Sequence, residues 1–222
     1  MARAQRFFFF FIIFFVLILL FWVSASPFAL QLNEQELRAT AQRKYGAKGV
    51  NNLEKWLDTL ATMQGAPESQ QLEVINRFWN QVAVPGEDID IWGGEDYWAS
   101  PLETLGVGAA DCEDYVIGKY FSLIRLGVAP EKLRLIYVRA QVAGRSIAHM
   151  VLGYYAQPDA EPLILDNLTG LIRPASQRPD LTPVFSFNSE GVYVAGHSPR
   201  SVDSIGRWRN LLEKMRREGF HP

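Results

Sequence analysis

The sequence predicts an α+β protein. Apolar positions recur at helical spacing through the first half of the chain and in strand-like runs through the second. Between them, residues 84–110 follow neither period and are rich in Gly, acids and Trp. Helices grouped before strands favour helices packed on an antiparallel sheet over an alternating α/β architecture. The 222 residues carry a formal charge of −2, with 48% hydrophobic and 21% charged residues. That composition excludes wholesale disorder, and its slight acidity argues against a general nucleic-acid binder.

The first element is an address. Arg3 and Arg6 precede an unbroken apolar run from Phe7 to Val23, followed by Ser24-Ala25-Ser26-Pro27. A basic start, an apolar middle and small residues at the end describe a secretory signal, with the cut expected after Ala25. The run is also at the lower edge of a spanning length, so an uncleaved anchor is the alternative. Either way the chain beyond residue 26 is expected outside the cytoplasm. Residues 1–25 hold two bases and no acid, so their removal takes the charge from −2 to −4. Residues 26–222 then read as one domain: a helical part over about 33–83, a core over about 84–196 and a basic helix over about 202–218.

Asn33 is expected to cap a helix through Tyr45, with Glu36 completing a capping box and Gly46 as the stop. Asn52 is expected to start a second helix with Leu53, Trp56, Leu57 and Leu60 on one face. A third spans about Ser69 to Val82, ended by Pro85-Gly86. Residues 84–110 are expected to be an irregular, functional loop. A helix from Cys112 to Leu126 follows, stopped by Gly127 and Pro130. Strands are expected over Leu133 to Val142, Ala148 to Tyr155, Leu163 to Leu168, Val184 to Asn188 and Gly191 to Ala195. The last helix, Val202 to Glu218, reads as a solvated surface element bearing Arg207, Arg209, Lys214, Arg216 and Arg217.

Cys112 is the only cysteine, which excludes an intrachain disulfide, a four-cysteine zinc site and a Cys-x-x-Cys pair. It falls in the first turn of its helix, where the dipole favours a thiolate. Of the three histidines, His221 is next to last and His197 sits in a Gly-Ser-Pro loop. His149 opens a strand and is the best base. Asp166 ends the apolar run Leu163-Ile164-Leu165, an odd place for an unpaired carboxylate. A hairpin across Ala156 to Glu161 would put His149 and Asp166 within one or two positions of facing each other. The spacing permits a Cys-His-Asp triad. A buried inert Cys, a structural His and a strand-ending Asp-Asn turn are the alternatives.

Asp111, Glu113 and Asp114 flank the thiol and oppose its ionisation. A divalent cation would relieve that, and oxygen donors favour calcium over zinc. The upstream loop adds Glu95, Asp96, Ser100 and carbonyls near Trp98. The alternative is that these acids only cap the helix.

The stretch Glu95-Asp96-Tyr97-Trp98-Ala99-Ser100-Pro101-Leu102-Glu103 through Asp111-Cys112-Glu113-Asp114-Tyr115 resembles the bacterial transglutaminase-like cysteine proteinases, and among them the LapG-type periplasmic proteases. The resemblance continues through Lys119-Tyr120-Phe121-Ser122-Leu123, Ala148-His149-Met150-Val151-Leu152, Leu165-Asp166-Asn167-Leu168 and Pro174-Ala175-Ser176-Gln177-Arg178-Pro179-Asp180-Leu181. It covers most of residues 70–195.

The resemblance implies a papain/transglutaminase-like fold with Cys112 as nucleophile, His149 as general base and acid, and Asp166 as orienter. It also implies calcium (Ca2+) dependence, with Asp111 and Glu113 as ligands, joined by Asp96, Ser100 and the Trp98 carbonyl; Asp114 is a further acidic candidate. The implied substrate is a large surface adhesin, clipped near its amino terminus at a small-residue pair and released so that a biofilm disperses. The implied regulator is an inner-membrane cyclic di-GMP receptor that sequesters the protease in the periplasm. No nucleic-acid partner is expected. The Cys112 backbone N–H would serve an oxyanion hole, with Trp92 or Trp98 in the neighbouring loop as a guess for the second donor. Two other readings stay open: a transglutaminase or amidotransferase using the same triad, and a non-catalytic periplasmic binding module.

Overall fold

The computed structural model describes residues 30–194, 198 and 200–221. The expected signal segment, His197 and Ala195 lie outside the described residues. Among the described residues no helix is long and apolar enough to cross a membrane.

The chain enters through a short strand β1 (Gln31–Leu32) and helix α1 (Glu34–Met63). Asn33 caps α1, its Oδ1 accepting the Glu36 N–H at 3.2 Å. The reciprocal half of the expected box is replaced. Asn33 donates its own N–H to Gly219 O at 2.7 Å, so the Glu36 carboxylate accepts the Asn33 side-chain amide instead. Gly46 interrupts α1 at φ 63°, a conformation open to glycine, but the helix resumes at once rather than at Asn52. Asn52 is buried and donates to Leu105 O at 2.9 Å, so it ties two helices together and starts neither. Helix α2 (Glu68–Val82) follows as expected, burying Leu72, Ile75 and Trp79.

Residues 84–110 are more ordered than the sequence pattern indicates. They form β2 (Val84–Pro85), α3 (Asp88–Trp92), α4 (Pro101–Val107) and β3 (Ala109–Ala110). Ser100 and Glu103 build a complete capping box at the start of α4, with Pro101 at its first position. That signal was legible as Ser-Pro-x-Glu and masked by the surrounding Gly and Trp. Strands β2 and β3 pair in parallel and bring the start of the next helix back to the entry of this segment.

Helix α5 (Cys112–Arg125) is the centre of the fold, and every residue from Glu113 to Ile124 is buried. Helices α2 and α4 pack on it, with Trp56 of α1 reaching Ser122, and β4 and β5 of the sheet pack on it as well. Its polar residues must therefore find internal partners. Ser122 does so three ways: Oγ accepts Trp56 Nε1 at 2.8 Å and Trp79 Nε1 at 2.9 Å, and donates to Gly118 O at 2.7 Å. Gly118 has no room for a side chain, since an added Cβ would sit 2.5 Å from the Trp79 ring. Replacing Ser122 with Ala orphans two buried indole N–H groups and is expected to cost about 2–4 kcal/mol, read as a lower midpoint in urea at unchanged slope.

A six-stranded antiparallel sheet follows: β4 (Leu133–Val142), β5 (Arg145–Tyr154), β6 (Leu163–Leu165), β7 (Arg173–Pro174), β8 (Leu181–Phe187) and β9 (Val192–Tyr193), in the order β7-β6-β5-β4-β8-β9. Ala143 and Gly144, at φ 50° and 78°, make the two-residue turn between β4 and β5. That turn starts β5 three residues earlier than its apolar run. In the β5–β6 pair Leu152 opposes Leu165, Gly153 opposes Ile164 and Tyr154 opposes Leu163, the register expected from the hairpin. Strand β6 ends at Leu165, so Asp166 to Leu168 lie in the following loop and not in the strand. One face of the sheet packs on α5 through Leu135, Met150, Leu152 and Leu165; the other carries a smaller cluster of Ile136, Val138, Val151 and Ile164.

The last helix, α6 (Gly206–Glu218), is not merely a solvated face. Trp208, Leu211 and Met215 are buried, and Trp208 stacks on Phe121 at 5.5 Å. Lys214 is turned inward to Trp98 O and the Glu103 carboxylate. Arg209, Arg216 and Arg217 are exposed as expected. The final strand β10 (Phe220–His221) pairs with β1, so His221 is held in a ladder and not frayed.

Candidate active site

Three elements converge on one cleft. The amino terminus of α5 brings Cys112, β5 brings His149, and the loop after β6 brings Asp166. Cys112 and His149 both line this cleft, of about 970 Å³, together with Asp88, Asp111 and Glu113. Asp166 lies behind His149 and is fully buried.

His149 Nε2 lies 2.7 Å from Asp166 Oδ1, with both side chains nearly inaccessible. The carboxylate fixes the tautomer in which Nε2 carries the proton, leaving Nδ1 as the basic nitrogen. Asp166 is held from several directions. Oδ1 also accepts the Leu168 N–H at 3.1 Å, Oδ2 accepts Arg178 Nη2 at 2.7 Å, and its carbonyl accepts Asn80 Nδ2 at 2.8 Å. Burial pushes its pKa up, but His149, the Leu168 N–H and Arg178 together pull it down to about 2.

A depressed carboxylate stabilises the fold above its unfolded pKa. Its contribution of about 2 kcal/mol is complete near neutrality and lost as pH falls from about 4 toward 2. Urea midpoints of the wild type and Asp166→Asn are therefore expected to differ at pH 7, to approach one another as pH falls below about 4 and to converge only below about pH 2.

The Cys112 thiol is engaged elsewhere, with Sγ 3.0 Å from Glu113 Oε2. Burial raises its pKa, and the charge and hydrogen bond of Glu113, with Asp111 beyond, raise it further. A backbone hydrogen bond from Met150 works the other way. The thiol thus sits at a helix start, which favours the thiolate, inside a ring of acids, which opposes it.

Those acids form a cluster. Ligand oxygens of Asp88, Asp111 and Glu113 lie within 4.8 Å of one another. Burial and the neighbouring Asp114, Glu113 and Asp88 push Asp111 up to about 10; burial also raises Glu113 and Asp88. Three partly desolvated carboxylates with no basic partner among them fit a hard divalent cation by donor chemistry and by charge. Asp88 was missed in the sequence. It stands among Glu87, Asp88 and Asp90 without a distinguishing local signal; only folding buries it and leaves Asp90 exposed.

The other sequence candidates are placed as follows. Asp96 lines the cleft but is exposed and paired with Arg207. The Trp98 carbonyl accepts Lys214 Nζ at 2.7 Å. Ser100 Oγ caps α4 at 3.1 Å and donates to the Glu218 carboxylate. Neither Trp98 nor Ser100 is brought to the three-carboxylate cluster. Asp114 accepts the Ala99 N–H at 2.7 Å through Oδ1, while its Oδ2 is buried and without a partner among the described residues. Asp111 also caps α5, as the alternative reading of the acids had it, through the Asp114 N–H at 3.3 Å. Neither Trp92 nor Trp98 lines the cleft: Trp92 packs on Tyr97 and Trp98 on Phe187.

The chain that carries this site is similar in sequence and fold to known proteins. Residues 51–180 match the bacterial transglutaminase-like cysteine proteinases, BTLCP. No curated protein sequence matches the chain. Among solved structures, EGTA-treated LapG of Legionella pneumophila is 36% identical with a TM-score of 0.74, over 84% of this chain and 100% of that one. A second LapG structure from the same organism gives 36% and 0.74 over 86% of this chain and 100% of that one. The calcium-bound form gives 39% and 0.70 over 82% and 98%. The chain belongs to the bacterial transglutaminase-like cysteine proteinase family and is a cysteine protease.

Proposed function

We propose that this chain is a calcium-dependent endopeptidase of the periplasm. Its substrate is a large surface adhesin, cut near the amino terminus at a small-residue pair, and the cut releases the adhesin and disperses the biofilm. An inner-membrane receptor that senses cyclic di-GMP on its cytoplasmic side restrains the protease by sequestering it. The observation that carries the catalytic part is the 2.7 Å contact of His149 Nε2 with Asp166, in a cleft that also holds Cys112 at the start of α5. The similarity to LapG, which has a calcium-bound form, and the Asp88–Asp111–Glu113 cluster support the metal. The amino-terminal segment read above as a secretory signal supports the compartment.

In this reading Cys112 is the nucleophile, His149 the general base and acid, and Asp166 the orienter. His149 Nδ1 accepts the thiol proton, and the Asp166 carboxylate stabilises the imidazolium that results. The thiolate attacks the scissile carbonyl, and the Cys112 backbone N–H at the helix start donates to the oxyanion. Imidazolium returns its proton to the leaving amine as the tetrahedral adduct collapses to a thioester. A water, deprotonated by His149, then hydrolyses the thioester and frees Cys112. Asp88, Asp111 and Glu113 would hold the calcium ion, whose positive charge would offset their repulsion beside the thiol.

The test mixes purified residues 26–222 with an adhesin amino-terminal fragment, with calcium and with chelator. New termini at one small-residue site, formed only with calcium, support the reading. Isopeptide-linked products would replace it with acyl transfer to amines. Uncut fragment in both arms would remove the adhesin as substrate.

A further inference from the structure

We propose that Arg178 is a positioning residue for proteolysis, fixing the Asp166 carboxylate that orients His149, and that Asp180 fixes Arg178 in turn. This rests on the triad reading above, to which neither residue contributes a reacting atom.

The two oxygens of Asp166 do different work. Oδ1 is shared by His149 Nε2 and the Leu168 N–H, whereas the side-chain partner of Oδ2 is Arg178 Nη2 at 2.7 Å. A carboxylate held through one oxygen can still pivot about its last torsion and swing the imidazole with it. The second contact removes that freedom.

Arg178 is itself clamped. Its Nε lies 3.0 and 3.2 Å from the two Asp180 oxygens, and Nη2 lies 2.7 Å from Asp180 Oδ2. Nη2 therefore bridges the two carboxylates, one N–H toward each, while Nε grips Asp180 as well; a lysine ammonium has no second nitrogen with which to copy that two-point grip. Arg178 is 7% exposed, so its pairing with the fully buried Asp166 is shielded from solvent.

The backbone sets this clamp in place before β8 begins. The Arg178 N–H donates to Ala175 O at 2.9 Å, Leu181 N–H to Arg178 O at 3.1 Å, and Gln141 N–H to Asp180 O at 2.9 Å. The segment is thus anchored to the end of β4, on the sheet that carries His149. Charge argues the same way. When His149 becomes cationic it neutralises Asp166, and Arg178 is then balanced by Asp180. Without Arg178 the Asp166 carboxylate would be more basic and a stronger competitor for the Nε2 proton. Lys119 on α5 also feels the Asp166 charge, but burial lowers its pKa to about 7, its Nζ has no hydrogen-bond partner among the described residues, and it makes no such bridge.

The test is a double-mutant cycle in the mature chain with calcium present: wild type, Arg178→Gln, Asp166→Asn and the double variant. Two readouts are taken, cleavage of the adhesin fragment and iodoacetamide alkylation of Cys112, the only thiol, which needs no substrate. Arg178→Gln is expected to lower kcat by about 10²-fold with KM within about 3-fold, and to slow alkylation. In the Asp166→Asn background the same change is expected to cost less than about 3-fold, because the group it acts through is gone. Asp180→Asn should fall between Arg178→Gln and wild type, and Arg178→Lys should recover only part of the loss.

If Arg178→Gln does not melt cooperatively, Arg178→Lys takes its place in the cycle. The proposal is overturned if the replacement leaves kcat and alkylation within about 3-fold of wild type, or if the losses multiply in the double variant, the mark of a merely structural role. A silent Asp166→Asn would instead overturn the triad reading and the proposal with it. Loss of fragment cleavage in every protein, wild type included, with the alkylation pattern intact, would reject the adhesin and keep Arg178.

Discussion

Replacing Cys112 with Ala is expected to remove at least about 10⁴-fold of the peptidase activity while leaving the fold intact. The size follows from the absence of any substitute. No second cysteine exists in the chain, and the neighbouring Asp111 and Glu113 carboxylates are weak nucleophiles toward an amide. His149 would remain oriented by Asp166 but would have no thiol to deprotonate. The fold should survive because Cys112 is only partly buried and its thiol makes only weak hydrogen bonds, to the adjacent Glu113 and from the Met150 backbone. Thermal melts within a few degrees of wild type, with no cleavage of the adhesin fragment, are the expected pair of results. Retained cleavage would displace the nucleophile, and retained biological activity without cleavage would favour the binding-module reading. Cys112→Ser makes the same point more finely, since a hydroxyl next to Glu113 is harder still to ionise and should be almost as inactive.

The three candidate residues stood out in the sequence because each sits where local pattern and chemistry disagree, and the structure places Cys112 and His149 in one cleft and His149 against Asp166. Asp166 closes a run of Leu and Ile, His149 stands just before an apolar run in its strand, and Cys112 starts a helix among acids. The hairpin register then followed from the spacing of the two apolar runs alone, and the β5–β6 pairing has it. What was not legible depends on contacts between distant segments. Asp88 joins Asp111 and Glu113 only because the parallel β2–β3 ladder folds residues 84–110 back on themselves. Lys214 reads as one more base on a surface helix, yet it lies inward because Trp208, Leu211 and Met215 dock α6 on the core. Ser100 offers an oxygen that composition alone offers to a cation, but a capping box uses it locally. The sequence predicts α5 as a helix without showing how deeply it sits; packing of helices and sheet against it leaves Glu113 to Ile124 buried, which is why Lys119 and Ser122 are internal.

The acidic cluster predicts a sign as well as a size. In the metal-free protein the three acids crowd a partly desolvated site that resists their ionising together, so an ion that binds their ionised form should stabilise the fold by mass action. At calcium about 100-fold above its Kd that is about 2.7 kcal/mol, an upward shift of roughly 5–10 °C in Tm for a chain of this size. Asp88→Asn is expected to abolish most of the increment, because it removes one of three charges and a ligand oxygen. It should also lower calcium affinity by about 10–100-fold in a calorimetric titration. With chelator present the same substitution should leave Tm unchanged or raise it, since the Asp88 side chain can still accept the Tyr97 N–H as an amide while a source of repulsion is lost. The two signs together separate a metal ligand from a structural carboxylate. A residue needed only for packing or capping would lower Tm in both conditions and leave the calcium increment whole. Asp111→Ala cannot make this distinction as cleanly, because Asp111 also caps α5 through the Asp114 N–H and loss of that cap weakens the helix that carries Cys112 whether or not an ion is bound.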